Sequence, residues 1–425
     1  MIAVGVGIVS LMSAPASAFA VAQDALPASV EAFSRDRNTS VQERPRPEYE
    51  ARGLRGPGVV FYPRIEVATE TTNNLYASAS SPVRDVAVRM GPELSVESDA
   101  PNHAWTAYVR GRMQRYADNR DENTDAFSAG AVARIDLTRQ MHLSLGADRA
   151  RGFEPRSATT AAPEAVKPTK VSETKVYAVG ARASGRVKLS GRADWRVVDY
   201  DDNETRGGVL IDQDVRDRRI ASVSGRVDWA VSPDTAVFVQ ATGNRRAYAR
   251  SAGPMSDRRS KGAEILAGAS FDIAATVRGE IAAGYVEQDF EATAYDDVSS
   301  LGARGRIEWF PSGLTTVEFA AGRTVEDTPE LGASAFVSNT ASVGVDHELL
   351  RNVILDAHLT WTRDAYAGID REDTRFAAKV GVTYLIHRNL GLNASAQGLD
   401  GRSAGAARDR DFNIASLAFS VVVQV

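Results

Sequence analysis

His142 and Ser144 are the first residues whose spacing could do chemistry. Two apart in an extended strand, their side chains share a face, where an imidazole could take the proton of a serine nucleophile. The same face would carry Gly146 and Asp148, a wet surface remote from lipid esters. No third group to orient the histidine is evident, so catalysis is the weaker reading. His103, His347, His358 and His387 are scattered and form no metal-ligand spacing. The acidic stretches 118–125 and 199–204 and the pair Asp296-Asp297 offer oxygens to Ca²⁺, but they lack an EF-hand pattern and read better as solvated loops. The chain contains no cysteine, which excludes disulfides, thiolate catalysis and Cys-ligated zinc. No cofactor is implied.

The more informative set is a ladder of charges that alternate with small or apolar residues. Its cations are Arg110, Arg112, Arg134, Arg182, Arg192, Arg196, Arg226, Arg278, Arg304, Arg306 and Lys379. Its anions are Asp136, Asp194, Asp228, Glu264, Asp272, Glu280, Glu308, Glu318 and Asp356. Only 6 of the 50 cationic side chains are Lys, an Arg excess that suits fixed ion pairs. Net charge is −5, which gives no footprint for a nucleic-acid partner.

The elements that carry these charges have period 2. Trp105, Ala107, Val109, Gly111 and Met113 alternate with Thr106, Tyr108, Arg110, Arg112 and Gln114. The same split recurs at Val187 to Arg196, Leu301 to Trp309 and Val353 to Thr362, and ends with Ala415, Leu417, Phe419, Val421, Val423 and Val425 on one face. A soluble sandwich would alternate too. Here the apolar face is rich in Ala and Gly, and the segments run to about 11–15 residues, longer than sandwich strands. Connections also alternate: short ones follow Leu137, Trp229, Trp309, Glu348 and Ile386, and long polar ones lie between. Those features predict an all-β transmembrane barrel, antiparallel and up-and-down, with short periplasmic turns and long extracellular loops. At roughly 20 residues per strand with its share of connections, residues 58–425 supply about 18 strands, with 16 or 20 as alternatives.

On this reading the charge ladder lines an aqueous lumen, either as ion pairs of any wet wall or as contacts for sugar hydroxyls or acidic polymer. Trp105, Trp229 and Trp309, beside short turns, form a lower aromatic girdle. Trp195 and Trp361, about 19 Å higher, form an upper one. The longest connection, 149–174, is a candidate to fold into the lumen beside Arg110, Arg134, Arg182 and Arg192, with a mobile Pro-rich surface loop as the alternative. Before the barrel, residues 1–18 have an apolar run and an Ala16-Ser17-Ala18 processing site, read as a signal peptide. Residues 19–57 are a polar periplasmic arm, Arg- and Pro-rich and without periodicity.

Arg44-Pro-Arg-Pro-Glu-Tyr, Gly53-Leu-Arg55, Phe61-Tyr-Pro-Arg-Ile and Thr72-Asn-Asn-Leu-Tyr-Ala77 together resemble the opening of the putative beta-barrel porin 2 family of outer-membrane proteins. Arg115-Tyr-Ala-Asp-Asn119, Val345-Asp-His-Glu-Leu-Leu-Arg-Asn352 and Tyr384-Leu-Ile-His-Arg-Asn389 extend the resemblance along the chain. It implies a single-chain outer-membrane barrel, partnered by lipids and lipopolysaccharide, and relatives placed with exopolysaccharide or capsule export machinery. The expected function is a porin-like conduit, with polysaccharide export as its narrow form. The alternatives are a general diffusion porin and, more remotely, an enzyme or adhesin on a barrel scaffold.

Overall fold

The computed structural model describes residues 38–100, 103–248 and 257–425; the expected signal peptide lies outside them. Eighteen long strands form one antiparallel sheet. In chain order they are β1 (Val59–Thr72), β2 (Asp85–Ser98), β3 (Trp105–Tyr116), β4 (Thr124–Thr138), β5 (Met141–Phe153), β6 (Lys170–Ser184), β7 (Val187–Tyr200), β8 (Arg218–Ser232) and β9 (Thr235–Tyr248). There follow β10 (Ser260–Ile273), β11 (Val277–Phe290), β12 (Val298–Ser312), β13 (Thr315–Asp327), β14 (Ala335–Leu350), β15 (Val353–Tyr366), β16 (Glu372–His387), β17 (Leu390–Ala404) and β18 (Phe412–Gln424). Each pairs with its sequence neighbours, and β18 closes on β1 from Arg64↔Gln424 to Thr72↔Ser416. Closure leaves no long free edge, which is what a sheet needs to cross lipid.

The closing seam is incomplete at its lower end. There β18 runs out, and a short strand, Leu54–Gly56, pairs with β1 through Leu54↔Phe61 and Gly56↔Val59. The Gly53 N–H donates to the Val425 carbonyl, so the N-terminal segment also holds the C-terminus.

Alternation sorts the side chains as the pleat requires. Val109, Trp195, Val223, Val239, Ile265, Leu359 and Leu417 are exposed on the outer face, and Arg226, Asp228, Gln240, Leu266 and Asp356 are buried on the inner. One register row joins Trp229 on β8 through Val237, Ala269, Ile281, Gly305, Ala321 and Ala341 to Trp361 on β15. With neighbouring strands about 4.8 Å apart and tilted by roughly 35–45°, each step climbs about 3 Å, and the row rises about 20 Å. That is close to the roughly 25 Å height of an apolar membrane band. All five tryptophans are at least 39% exposed on the outer face.

The turns at the Trp229 end are short: Arg139-Gln140, Gly185-Arg186, Pro233-Asp234, Gly313-Leu314, Arg351-Asn352 and Arg388-Asn389. In Gly185-Arg186 the glycine has φ +59°, the left-handed conformation a tight hairpin turn demands. An epitope inserted within residues 166–170 should be accessible to antibody on intact cells, while one at 232–234 should need permeabilised cells. The reverse pattern would invert the orientation.

Candidate functional site

Inward charges pair between neighbouring strands, as Arg110 with Glu93, or two residues apart along one strand. Arg110 donates to Glu93 at 2.8 Å, Arg134 to Asp136 at 3.0 Å, and Arg192 to Asp194 at 2.7 Å. Two tyrosines lie flat against this wall over glycines. A Cβ at Gly146 would stand 2.2 Å from the Tyr177 ring, and one at Gly130 would stand 2.8 Å from Tyr108. Arg110 and Arg192 stack over these rings at 4.4 and 4.8 Å, so ring and carboxylate fix each guanidinium.

Other pairs join strands that are not neighbours. Arg226 on β8 binds Asp228 at 2.7 Å and reaches Glu280 on β11 at 2.8 Å. Arg304 on β12 donates to Gln240 on β9 at 2.8 Å. Arg218 on β8 and Arg246 on β9 both bind Asp327 on β13, at 3.0 and 2.5 Å. From β8 to β13 is about 24 Å along the sheet, more than the two side chains can span. The wall must therefore curl sharply here, and the cross-section departs from a circle. An apolar cluster of Phe238, Leu266 and Ala282 fills the bend, with Arg226 seated 3.5 Å over the Phe238 ring.

The rest of the expected ladder is placed as follows. Arg306 binds Glu318 at 2.8 Å and Glu308 at 3.7 Å, while Arg278 binds Glu308. Arg112, Arg196, Glu264, Asp272, Asp356 and Lys379 also share the inner face, Lys379 opposite His358 and Asp356 opposite Asp346. Arg182 is the exception. Its register partners Met141 and Leu189 are both exposed on the outer face, so Arg182 points to the membrane and not into the lumen. The residues around it, Ala181, Ala183, Val179 and Gly180, are small or apolar on both faces, and composition could not set the parity. His142 and Ser144 stand on the lumen wall with Asp136 and Arg134 as register neighbours, away from lipid.

Extracellular loops contact one another across the upper mouth. Strands β5 and β6 run further than expected, which shortens the 149–174 connection to 154–169. That loop does not stand free. Arg156 binds Glu122 and donates to the carbonyl of Ala165 at 2.8 Å, while Val166 N–H donates to the backbone carbonyl of Glu204 at 2.8 Å. Glu154 holds Arg216 at 2.6 Å. On the far side, Arg371 donates to the Thr159 carbonyl at 3.3 Å, and it also binds Asp373 at 2.8 Å and Glu330 at 2.9 Å. The loop thus bridges from β5–β6 to the connection between β15 and β16. It does not meet Arg110, Arg134, Arg182 or Arg192; Arg134 and Arg182 lie beside short turns at the opposite end.

The lower mouth holds the described part of the N-terminal arm, from residue 38 onward, in fixed contacts with the barrel. Val41 is 1% exposed, and its N–H donates to Thr316 Oγ1 at 2.9 Å. Arg44 and Arg46 converge on Glu348 at 3.0 and 2.9 Å. Gln42 donates to Asp346 at 2.7 Å, and Arg278 donates to Glu43 at 2.7 Å and to the Asn38 carbonyl at 3.1 Å. These contacts of residues 38–46 reach more than 200 residues along the chain, which is why the local pattern gave no sign of this seat.

In the 201–217 loop the carboxylates of Asp202, Asp212 and Asp214 come within 4.8 Å of one another. Asp202 and Asp212 each accept a backbone N–H, from Gln213 and Asp214, which accounts for their convergence. Asp217, beside them, is pushed up to about 6, chiefly by burial and then by the Asp199 and Asp214 carboxylates, against the Tyr200 N–H that favours its charged form. Its unfolded value is the ordinary 3.8. The fold therefore favours the protonated acid: this contribution is full below the ordinary value and is lost as pH rises through about 6. Proteolysis within 201–217 should be faster at about pH 7.5 than at about pH 5, and Asp217→Asn should flatten the difference. A cleavage rate independent of pH would count against it.

The putative beta-barrel porin 2 family pattern matches residues 46–425. No curated protein matches the chain. Among solved structures it is similar to the ferric enterobactin receptor mutant Q482A of Pseudomonas aeruginosa in complex with enterobactin. That likeness has a TM-score of 0.49 and 6% identity, covering 88% of this chain and 82% of that one. It is also similar to the outer-membrane protein OpdK of the same organism, at TM-score 0.44 and 11% identity, covering 86% of this chain and 99% of that one.

Proposed function

The chain belongs to the putative beta-barrel porin 2 family, and from that premise we propose that it is a gated outer-membrane conduit for polar, carbohydrate-like cargo, with export of a polysaccharide as its specific task. One observation carries this reading: the inner wall is dense in Arg–carboxylate pairs that are already mutually neutralised, such as Arg110–Glu93 and Arg192–Asp194. A wall of this kind has many donors and acceptors for hydroxyls and no single strong sign of charge to sort small ions. The loop contacts across the upper mouth and the arm in the lower one fit a path that opens for its cargo. In this reading residues 1–18 are removed on export.

Planar-bilayer recordings of the refolded barrel provide the test. The intact protein should show low conductance. Deleting residues 158–168, which removes the Thr159 contact to Arg371, should raise it while the barrel still folds. Long polysaccharide should then block the current. Unchanged conductance in a folded deletion would remove the gating role. Free passage of salts and short sugars with no block by polymer would favour a general diffusion porin.

A further inference from the structure

Arg182 is a cation on the lipid-facing side of the barrel. Two register steps carry the row from Ser184 through Val187 to Trp229, climbing about 6 Å, and Arg182 stands two residues above Ser184 on its tilted strand. It is therefore about level with Trp229, at the periplasmic edge of the apolar band. The Ala183 N–H donates to the Gln140 carbonyl at 2.9 Å, which sets the Arg139-Gln140 turn against the end of β6. Arg186 occupies the turn that follows β6. Arg139, Arg182 and Arg186 are all exposed.

The surroundings carry no outward counter-charge. On the lower outer face from β4 to β8 stand Ile135, Leu137, Leu143, Leu189, Val227 and Trp229, with no Asp or Glu among the outward positions. In register, Asp136 and Asp228 stand two strands from the residues flanking Arg182, but Asp136 turns inward to Arg134 and Asp228 to Arg226, and Asp234 lies in the turn beyond β8. Three guanidiniums around one apolar surface at this depth are placed to meet an anionic group whose own tails lie along that surface.

We propose that Arg139, Arg182 and Arg186 form a binding site for the headgroup phosphate of an anionic phospholipid in the periplasmic leaflet, with its acyl chains on Leu143, Leu189 and Trp229. A guanidinium can give two parallel N–H donors to a phosphate, and its aliphatic stem can lie on the apolar face while the charge reaches the interface. The site is independent of what passes through the lumen.

Native mass spectrometry of the full chain, delipidated and then titrated with phosphatidylglycerol or phosphatidylcholine of identical chains, tests the site. The unaltered protein should retain phosphatidylglycerol severalfold better than phosphatidylcholine. The triple variant R139A/R182A/R186A should lose that preference. The triple Lys variant, which keeps charge without the paired donors, should keep part of it. R323A/R363A, removing outward cations near the other rim, should leave it intact. Folding of each variant is checked by heat-modifiable gel mobility. Equal retention of both lipids by the unaltered protein, or an undiminished preference in the folded triple Ala variant, would overturn the proposal. So would loss of lipopolysaccharide binding in that variant with phosphatidylglycerol retention unchanged.

Discussion

Glu348→Ala should release the N-terminal arm from the periplasmic mouth while the barrel stays folded. Glu348 is almost wholly buried and is the shared acceptor for Arg44 and Arg46, with Arg351 at 3.7 Å. Arg46 is itself only 6% exposed. Removing one partner from a buried ion pair costs about 3–5 kcal/mol, because the remaining charge has lost its counter-ion and has not regained water. The eighteen-strand ladder does not depend on this pair, and the arm can escape the cost by undocking. The release can be read with Val41→Cys, since the chain has no cysteine of its own and Val41 is 1% exposed when docked. In the otherwise unaltered protein the thiol should react slowly with a membrane-impermeant maleimide. Adding Glu348→Ala should raise the rate by roughly a hundredfold, the population change that about 3 kcal/mol produces. Conductance should rise in parallel. If labelling stays slow in a folded Glu348→Ala barrel, the arm is held by its other contacts, Val41 to Thr316 and Gln42 to Asp346, and the Glu348 clamp is incidental.

The strands were legible in the sequence because alternation is a local property. Where both faces of a strand differ in chemistry, as in Trp105 to Gln114 or Val353 to Thr362, the pattern places the strand and also assigns its faces. In β6 it does not. Val179, Gly180, Ala181 and Ala183 offer no contrast between faces, so nothing local corrects the expected inward facing of Arg182, which the register places outward. The candidate site divides in the same way. Pairs between residues two apart on one strand, Arg192–Asp194 and Arg134–Asp136, follow from alternation alone. Arg218–Asp327 and Arg226–Glu280 depend on how tightly the wall curls, which no window of sequence contains. The loops and arm were least legible. Glu154, Arg156 and Arg371 lie in polar segments that read as solvated, and their ion pairs arise only once closure brings distant connections over one mouth. The motif Arg44-Pro-Arg-Pro stood out by composition, yet its acceptor Glu348 lies about three hundred residues further along the chain.

Leu359→Arg should destabilise the barrel strongly, and Thr360→Arg, one residue along, should be tolerated. Leu359 is 48% exposed on the outer face of β15, two residues below Trp361. Its register partners Val343 and Ala378 are outward as well. In the folded protein that surface meets hydrocarbon, so the guanidinium must be desolvated or must deform the bilayer around it. The cost is about 2–4 kcal/mol near the midplane and falls toward the interfaces. Leu359 stands below the upper Trp, and a flexible Arg stem recovers part of the cost by reaching toward headgroups, so the lower half of that range is the better expectation. Thr360 faces inward between Ser342 and Ala377, where water and neighbouring polar groups receive a new cation. Denaturant titration of both variants in the same vesicles should show the first midpoint well below that of the unaltered protein and the second nearly unchanged. Equal losses would mean that this stretch of β15 meets protein or water on both sides. The assignment of an outer lipid face, on which the reading of Arg182 also depends, would then have to be withdrawn for this half of the barrel.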